Sequence, residues 1–230
     1  MGDERANLDL LRRRIINVVG HELRTPVTTL RGLAELLGTT EGDPEATTAL
    51  HDAIKRAARR SEALVDDLLV AAGIGTALPV APLAPTDVLD ATAEAWAGID
   101  VPEGLDLGID VSPGLTVLAR PGSLRRALEA VLDNAVRHGG EPIELRAGVV
   151  DDDVELVVTD GGPGIPEPER ALATEAFFRG ERAVTTAPGL GLGLSLAATL
   201  VGQDGGSLDV TEAEGGGTAV SIRLPIGSAA

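Results

Sequence analysis

A histidine, an acid and a hydroxyl fall within about one helical turn in His21-Glu22-Leu23-Arg24-Thr25-Pro26. An imidazole beside a carboxylate can act as a nucleophile, because the carboxylate takes the proton from one ring nitrogen while the other attacks. Helical geometry turns His21 roughly 140° from the apolar stripe described below, so the ring faces solvent. A plain solvated helix face would use the same residues. Three further clusters could bind rather than react. Asp160-Gly161-Gly162-Pro163-Gly164 follows a strand-like run, and Gly189-Leu190-Gly191-Leu192-Gly193-Leu194 opens a helix-like one. Exposed backbone N–H groups and the helix dipole favour a phosphate at such a helix start. The run lacks the Gly-Lys-Ser/Thr of a Walker loop, and it lacks the preceding strand and later acid of a dinucleotide fingerprint. Asp133-Asn134-Ala135-Val136-Arg137-His138 ends another helix-like segment, where an Asn carboxamide can hold Mg²⁺ and an Arg can meet phosphate.

These residues need elements to position them. In the first part of the chain Leu8, Leu11, Ile15, Val19, Leu30, Leu33 and Leu37 repeat at helical spacing. They predict one long amphipathic helix with a kink at Pro26, then a turn over Gly38 to Asp43 and a second helix from Pro44 to Ala72. A two-helix hairpin cannot bury its own apolar stripe, so a homodimer closing a four-helix bundle is expected. Beyond Pro85, strands at 106–111, 116–119, 143–149, 154–160, 206–210 and 218–224 alternate with helices at 122–138 and 192–201. That order predicts an α/β sandwich and an α+β chain overall. Gly73 to Pro85, with three prolines, reads as the connection, giving a hairpin over 1–76, a linker over 77–85 and a second domain over 86–230.

Composition narrows the partners. The net charge is −17, with ten basic against twelve acidic residues up to position 76 and nine against twenty-four beyond it. A chain so acidic repels nucleic acid. There is no Cys and there are three His, which excludes disulfides and thiolate metal sites. Trp96, Phe177 and Phe178 are the only aromatic residues, so the cores must be aliphatic. The long uncharged run from Ala183 to Gln203 contains Pro188 and four Gly and suits a loop entering a helix. No membrane span, membrane contact or signal peptide is expected.

The order of the four clusters, with Phe177-Phe178-Arg179 between the last two, resembles the sensor histidine kinases of bacterial two-component systems. The resemblance covers nearly the whole chain. It implies a dimerisation and histidine-phosphotransfer hairpin followed by a Bergerat-type catalytic domain that binds ATP and Mg²⁺. His21 would be the phospho-accepting nucleophile and Glu22 its general base. Thr25 would orient water when a response regulator is dephosphorylated, and Pro26 would supply a bend used in signalling. Asn134 matches the magnesium-holding Asn and Asp160 the carboxylate that accepts the adenine amino group. Gly162 and Gly164 would line the adenine pocket, and Arg137 and Arg179 would reach phosphates. Gly189, Gly191 and Gly193 would cradle phosphates at the end of a mobile lid running roughly from Pro166 to Pro188. The implied partner is the receiver domain of a response regulator, and the implied setting is the cytoplasm, as part of a sensor whose anchor lies elsewhere.

Two positions depart from the family pattern. Ala130 stands one turn before Asn134 where an Asn or acid is usual, and Glu129 is rotated about 100° from it, too far to substitute. Gly161 stands where Asn is common. Two other functions compete. A degenerate, weakly nucleotide-binding scaffold would dock a regulator without transferring phosphate. A gyrase-like ATPase would hydrolyse ATP steadily and leave the His21 motif without a use.

Overall fold

The structure, a computed structural model, describes residues 20, 24–38, 44–71, 81–180 and 190–227. By backbone contacts the chain forms two compact units. One comprises residues 1–69 with 188–190, the other residues 70–187 with 191–230.

In the first unit, α1 covers residues 24–37 and α2 covers Pro44–Ala71. Pro26 is buried near the start of the described part of α1. The stripe continues through the half-buried Leu30, Leu33 and Leu37. The amide of Gly38 returns to the Ala34 carbonyl at 3.3 Å and ends the helix. Pro44 and Glu45 open α2 as its N-terminal chemistry favours, with Pro at the first position and an acid facing the dipole. The earlier stripe residues Leu8 to Val19, the approach to Pro26 at 21–23 and the turn at 39–43 lie outside the described residues.

The second unit begins with β1 (Ala84–Asp87), α3 (Val88–Gly98), β2 (Leu107–Val111), β3 (Thr116–Ala119) and α4 (Ser123–His138). β4 (Ile143–Val150), β5 (Asp153–Asp160) and the short α5 (Glu167–Arg170) follow. The described part ends with α6 (Gly193–Gln203), β6 (Ser207–Glu212) and β7 (Thr218–Pro225). Five strands form one sheet in the order β2-β4-β5-β7-β6, with only the β2–β4 pair parallel. β1 and β3 form a separate antiparallel ribbon. α3, α4 and α6 pack together and supply, with one face of the sheet, a single core. Its largest fully buried side chains are Leu, Ile and Val, among them Leu128, Leu132, Leu145, Leu156, Leu200 and Ile222. The strict alternation of buried and partly exposed positions along β5 shows why: every second residue turns to the helices. The other face is polar and carries the Arg223–Glu155 pair at 2.9 Å.

Most expected elements fall where hydrophobic periodicity puts them. The acidic turn is present too, with Asp151 at φ 56° in the left-handed region that short polar side chains tolerate. The stretch 84–98 differs. Ala84 and Pro85, read as the end of a linker, belong to β1, and α3 follows at once. Pro85 is tolerated because β1 pairs only with β3, leaving its other edge free of ladder bonds. Asp87 then caps α3 by accepting from the Asp90 amide at 3.0 Å.

Candidate active site

α4 positions the first part of the site. Leu124, Ala127, Leu128, Val131, Leu132 and Ala135 form its buried stripe. Residues 130, 134, 137 and 138 therefore share the other side, at intervals of three and four. Asn134 and His138 are half-buried there and Arg137 is exposed. The Arg137 Nε donates to Asp133 Oδ1 at 2.7 Å, so the guanidinium expected to meet phosphate is held along the helix by its neighbour. Glu129 faces elsewhere. It pairs with Arg125 and stands against Gly98 of α3, where a Cβ would come within 2.5 Å of Glu129 Oε1. Burial raises the Glu129 pKa, opposed by the Arg125 charge. This carboxylate does not stand in for the missing polar group at Ala130.

Asp160, the last residue of β5, is 6% exposed. Its Oδ1 accepts from the Gly162 amide at 2.9 Å and more weakly from the Thr218 amide at 3.4 Å. Both bonds use one oxygen, which leaves Oδ2 to accept from an amino group of a ligand. Behind it, Gly215, Gly216 and Gly217 turn β6 into β7 with φ of 91°, 103° and 93°. A Cβ at 217 would overlap the Asp160 carbonyl oxygen and lie 2.9 Å from its carbon. Gly164, also left-handed at φ 70°, approaches Gly217 to the point where a Cβ would meet its carbonyl oxygen at 3.0 Å.

The other part of the site is built from two segments that touch. Phe177 donates its amide to the Gly191 carbonyl at 3.0 Å, while holding φ at 67°. Gly191, at φ 68°, lies so close to Phe178 and Arg179 that a Cβ would overlap the Phe178 carbonyl and stand 2.9 Å from Arg179 Cγ. Two residues later α6 starts at Gly193 without a side-chain cap, which leaves the first amides of an 11-residue helix for an anion. Gly193 faces the Ala130 carbonyl, 3.5 Å from where its Cβ would be. The start of α6 thus meets α4 one turn above Asn134. His138 closes the circle. Burial lowers its pKa, and the nearby Arg179 and then Arg137 lower it further against Asp133.

Asn134, Arg137, Asp160, Gly162, Gly164, Arg179, Gly191 and Gly193 are therefore gathered in the second unit around α4, the end of β5 and the start of α6. Thr25 is exposed on α1 in the first unit. His21, Glu22 and Gly189 lie outside the described residues. Sequence reasoning gave no role to Thr218, Gly217 or His138. The Gly-Gly-Gly-Thr run before a strand marks a turn of positive φ, and only the close approach of Gly217 to Asp160, a tertiary fact, ties it to the site.

The donor chemistry fits a magnesium nucleotide. Among the described residues no cluster of three or more His, Cys, Asp or Glu could hold a metal. Mg²⁺ is commonly held by one or two protein oxygens, phosphate oxygens and water. The Asn134 side-chain carbonyl is an oxygen of the kind Mg²⁺ takes, and the uncapped start of α6 has amides that a phosphate could meet.

Known proteins show the same organisation. Residues 11–75 match the His Kinase A (phospho-acceptor) domain, and residues 119–228 match the histidine kinase-, DNA gyrase B- and HSP90-like ATPase family. The sensor-type histidine kinase PrrB of Mycobacterium tuberculosis is 36% identical over 212 residues, covering 90% of this chain and 46% of that protein. The chain spans about half the length of the curated relatives it matches. The structure of the mycobacterial sensor histidine kinase MprB is 32% identical with a TM-score of 0.54, covering 64% of this chain and 99% of the other. Full-length ShkA, solved in complex with AMPPNP, is 29% identical with a TM-score of 0.61 over 95% of this chain and 46% of that one. A phospho-acceptor helix region and a gyrase-like ATPase fold joined in this order, with a solved relative matched almost end to end, place the chain in the family of two-component sensor histidine kinases.

Proposed function

We propose that the chain is an ATP-dependent protein-histidine kinase that phosphorylates His21 and passes the phosphoryl group to an aspartate of a response regulator. The observation that carries this reading is the circle of Asp160, Asn134, Arg179 and the α6 start, which offers an amino acceptor at one end and anion donors at the other. In this reading a ring nitrogen of His21 attacks the γ-phosphorus, the bond to the β–γ bridging oxygen breaks, and ADP leaves. Glu22 takes the proton from the other ring nitrogen. Asn134 would hold Mg²⁺, which neutralises charge on the triphosphate. Arg179 and the amides near Gly189, Gly191 and Gly193 would add donors where charge develops. Gly162 and Gly164 would bound the base.

The hairpin, residues 1–76, would dimerise and present His21 to the receiver domain, while residues 86–230 would form the catalytic domain. No helix among the described residues is long and apolar enough to cross a membrane. The chain would work as the cytoplasmic portion of a sensor. Thr25 would orient the water that removes phosphate from the receiver, the opposing phosphatase activity. The test is a chase of labelled chain with a cognate receiver. Label should leave the kinase and appear on the receiver, and Thr25→Ala should slow its later loss as phosphate while leaving autophosphorylation intact. Label that never moves to a receiver aspartate would refute the transfer step. Ala130 favours a second reading, a docking scaffold that binds nucleotide weakly, and that reading predicts no label on the kinase at all.

A further inference from the structure

We propose that Gly139 and Gly161 are positioning residues for recognition of the nucleotide base, because they let the segment 139–142 lie directly on the turn that carries Asp160. The inference rests on the reading of Asp160 as the base-reading carboxylate.

The two segments are joined backbone to backbone. The Gly161 amide donates to the carbonyls of Gly140 at 2.8 Å and Pro142 at 3.0 Å. A Cβ at 161 would overlap the Glu141 carbonyl oxygen, lie 2.7 Å from its carbon and stand 3.0 Å from Pro142 Cδ. A Cβ at 139 would stand 2.5 Å from Asp160 Cγ, 2.6 Å from Asp160 Cβ and 2.6 Å from the Ala135 carbonyl oxygen. Neither glycine is left-handed: Gly139 has φ −85°, and Gly161 is not among the residues of positive φ. What they provide is space. Gly140, next to Gly139 in the same segment, would place a Cβ no closer than 3.4 Å to anything, an ordinary contact.

The consequence falls on the Asp160 side chain. The Gly139 backbone lies beside one side of the carboxylate, so near that an added Cβ would overlap it, and the amides of Gly162 and Thr218 hold Oδ1. The carboxylate cannot swing toward α4, and Oδ2 is kept ready for an amino donor before any ligand arrives. Adenine offers an amino group at its six-position. Guanine offers an oxo group there, which would face a second acceptor, so a fixed carboxylate discriminates between the two and a mobile one does not. The same contact accounts for Gly161 where the family pattern has Asn: no side chain fits at 161 unless the Glu141–Pro142 segment moves away.

The experiment measures ATP and GTP binding to the full chain by calorimetric titration, with thermal melts alongside. Gly139→Ala and Gly161→Ala should weaken ATP binding and reduce the ATP-over-GTP preference by about tenfold or more, the loss expected for one hydrogen bond to a charged group. Gly140→Ala should keep the wild-type ratio. Equal weakening of both nucleotides, or an unchanged ratio in both variants, overturns the proposal. Asp160→Asn separates the two levels. If its ratio stays at the wild-type value, the base-reading role of Asp160 itself fails. If its ratio collapses while both glycine variants discriminate normally, only the positioning role fails. Should the alanine variants not fold, one glycine inserted between Gly140 and Glu141 keeps both glycines but slides the segment off the turn. The same loss of preference is expected, and a retained preference overturns the proposal.

Discussion

Gly217→Ala tests the account of the base end with Gly215→Ala as its internal control. Both glycines lie in the β6–β7 turn with nearly equal φ, 93° and 91°. An alanine in that region costs about 1–2 kcal/mol, offset by about 0.4–1 kcal/mol from the lowered entropy of the unfolded chain. Around Gly215 a Cβ would meet nothing within 4 Å, so Gly215→Ala should lose roughly 1 kcal/mol of stability and bind nucleotide normally. At 217 the Cβ would overlap the peptide of Asp160. Relief requires the end of β5 or the turn to shift, breaking the Thr218 amide bond to Oδ1 and moving the carboxylate. Gly217→Ala should therefore lose an additional 2 kcal/mol or so and bind ATP roughly 10–100-fold more weakly. Denaturant melts and calorimetric titration of the two variants read both quantities. Equal affinity loss in the two, or wild-type affinity in Gly217→Ala, would refute the steric account of Asp160.

Other expectations follow from single contacts. Asn134→Ala should abolish the Mg²⁺-dependent part of ATP binding while leaving the affinity measured in excess chelator unchanged; identical titrations in both conditions would argue against its metal role. Asp204, 1% exposed, pairs with Arg120 at 2.7 Å and ties the loop before α4 to the end of α6. Asp204→Ala should cost about 3 kcal/mol and lower the melting temperature by roughly 10 °C. His138 is held below its ordinary pKa by burial and by Arg179 and Arg137. The folded state then resists protonation, so its contribution to stability is present above about pH 6.5 and lost as pH falls through the lower folded value. His138→Gln should flatten that part of the stability profile between pH 7 and 5, and an unchanged slope would assign it to other groups.

The sequence was most informative where a pattern repeats. The buried stripe of α4 and the alternation of β4, β5 and β7 are hydrophobic periodicities, and periodicity survives without knowledge of the partner. α3 carries signals of its own, an Asp at the cap and Val88, Ala91 and Ala95 at helical spacing, but the three prolines in Gly73–Pro85 just before it read as a linker. β1 carried no signal of its own. Ala-Pro-Thr-Asp becomes a strand only because β3 lies beside it. The site divides in the same way. Asp160, Asn134 and the glycine runs are visible as motifs, but the closeness of Gly139 to Asp160, the passage of Gly217 behind it and the contact of Gly191 with Arg179 are tertiary facts. Glycines forced by space have no local signature when their φ is ordinary. The capture of Arg137 by Asp133 was readable as an i, i+4 pair and was passed over in favour of its motif.

Phosphate from ATP is expected to be transferred to His21. Incubation of the full chain with Mg²⁺ and γ-labelled ATP, compared with His21→Ala, tests it most directly. The account predicts label on the wild type that is lost in acid, stable in base and absent from the variant. Label that persists in His21→Ala, or steady ATP hydrolysis with no labelled protein, would contradict it.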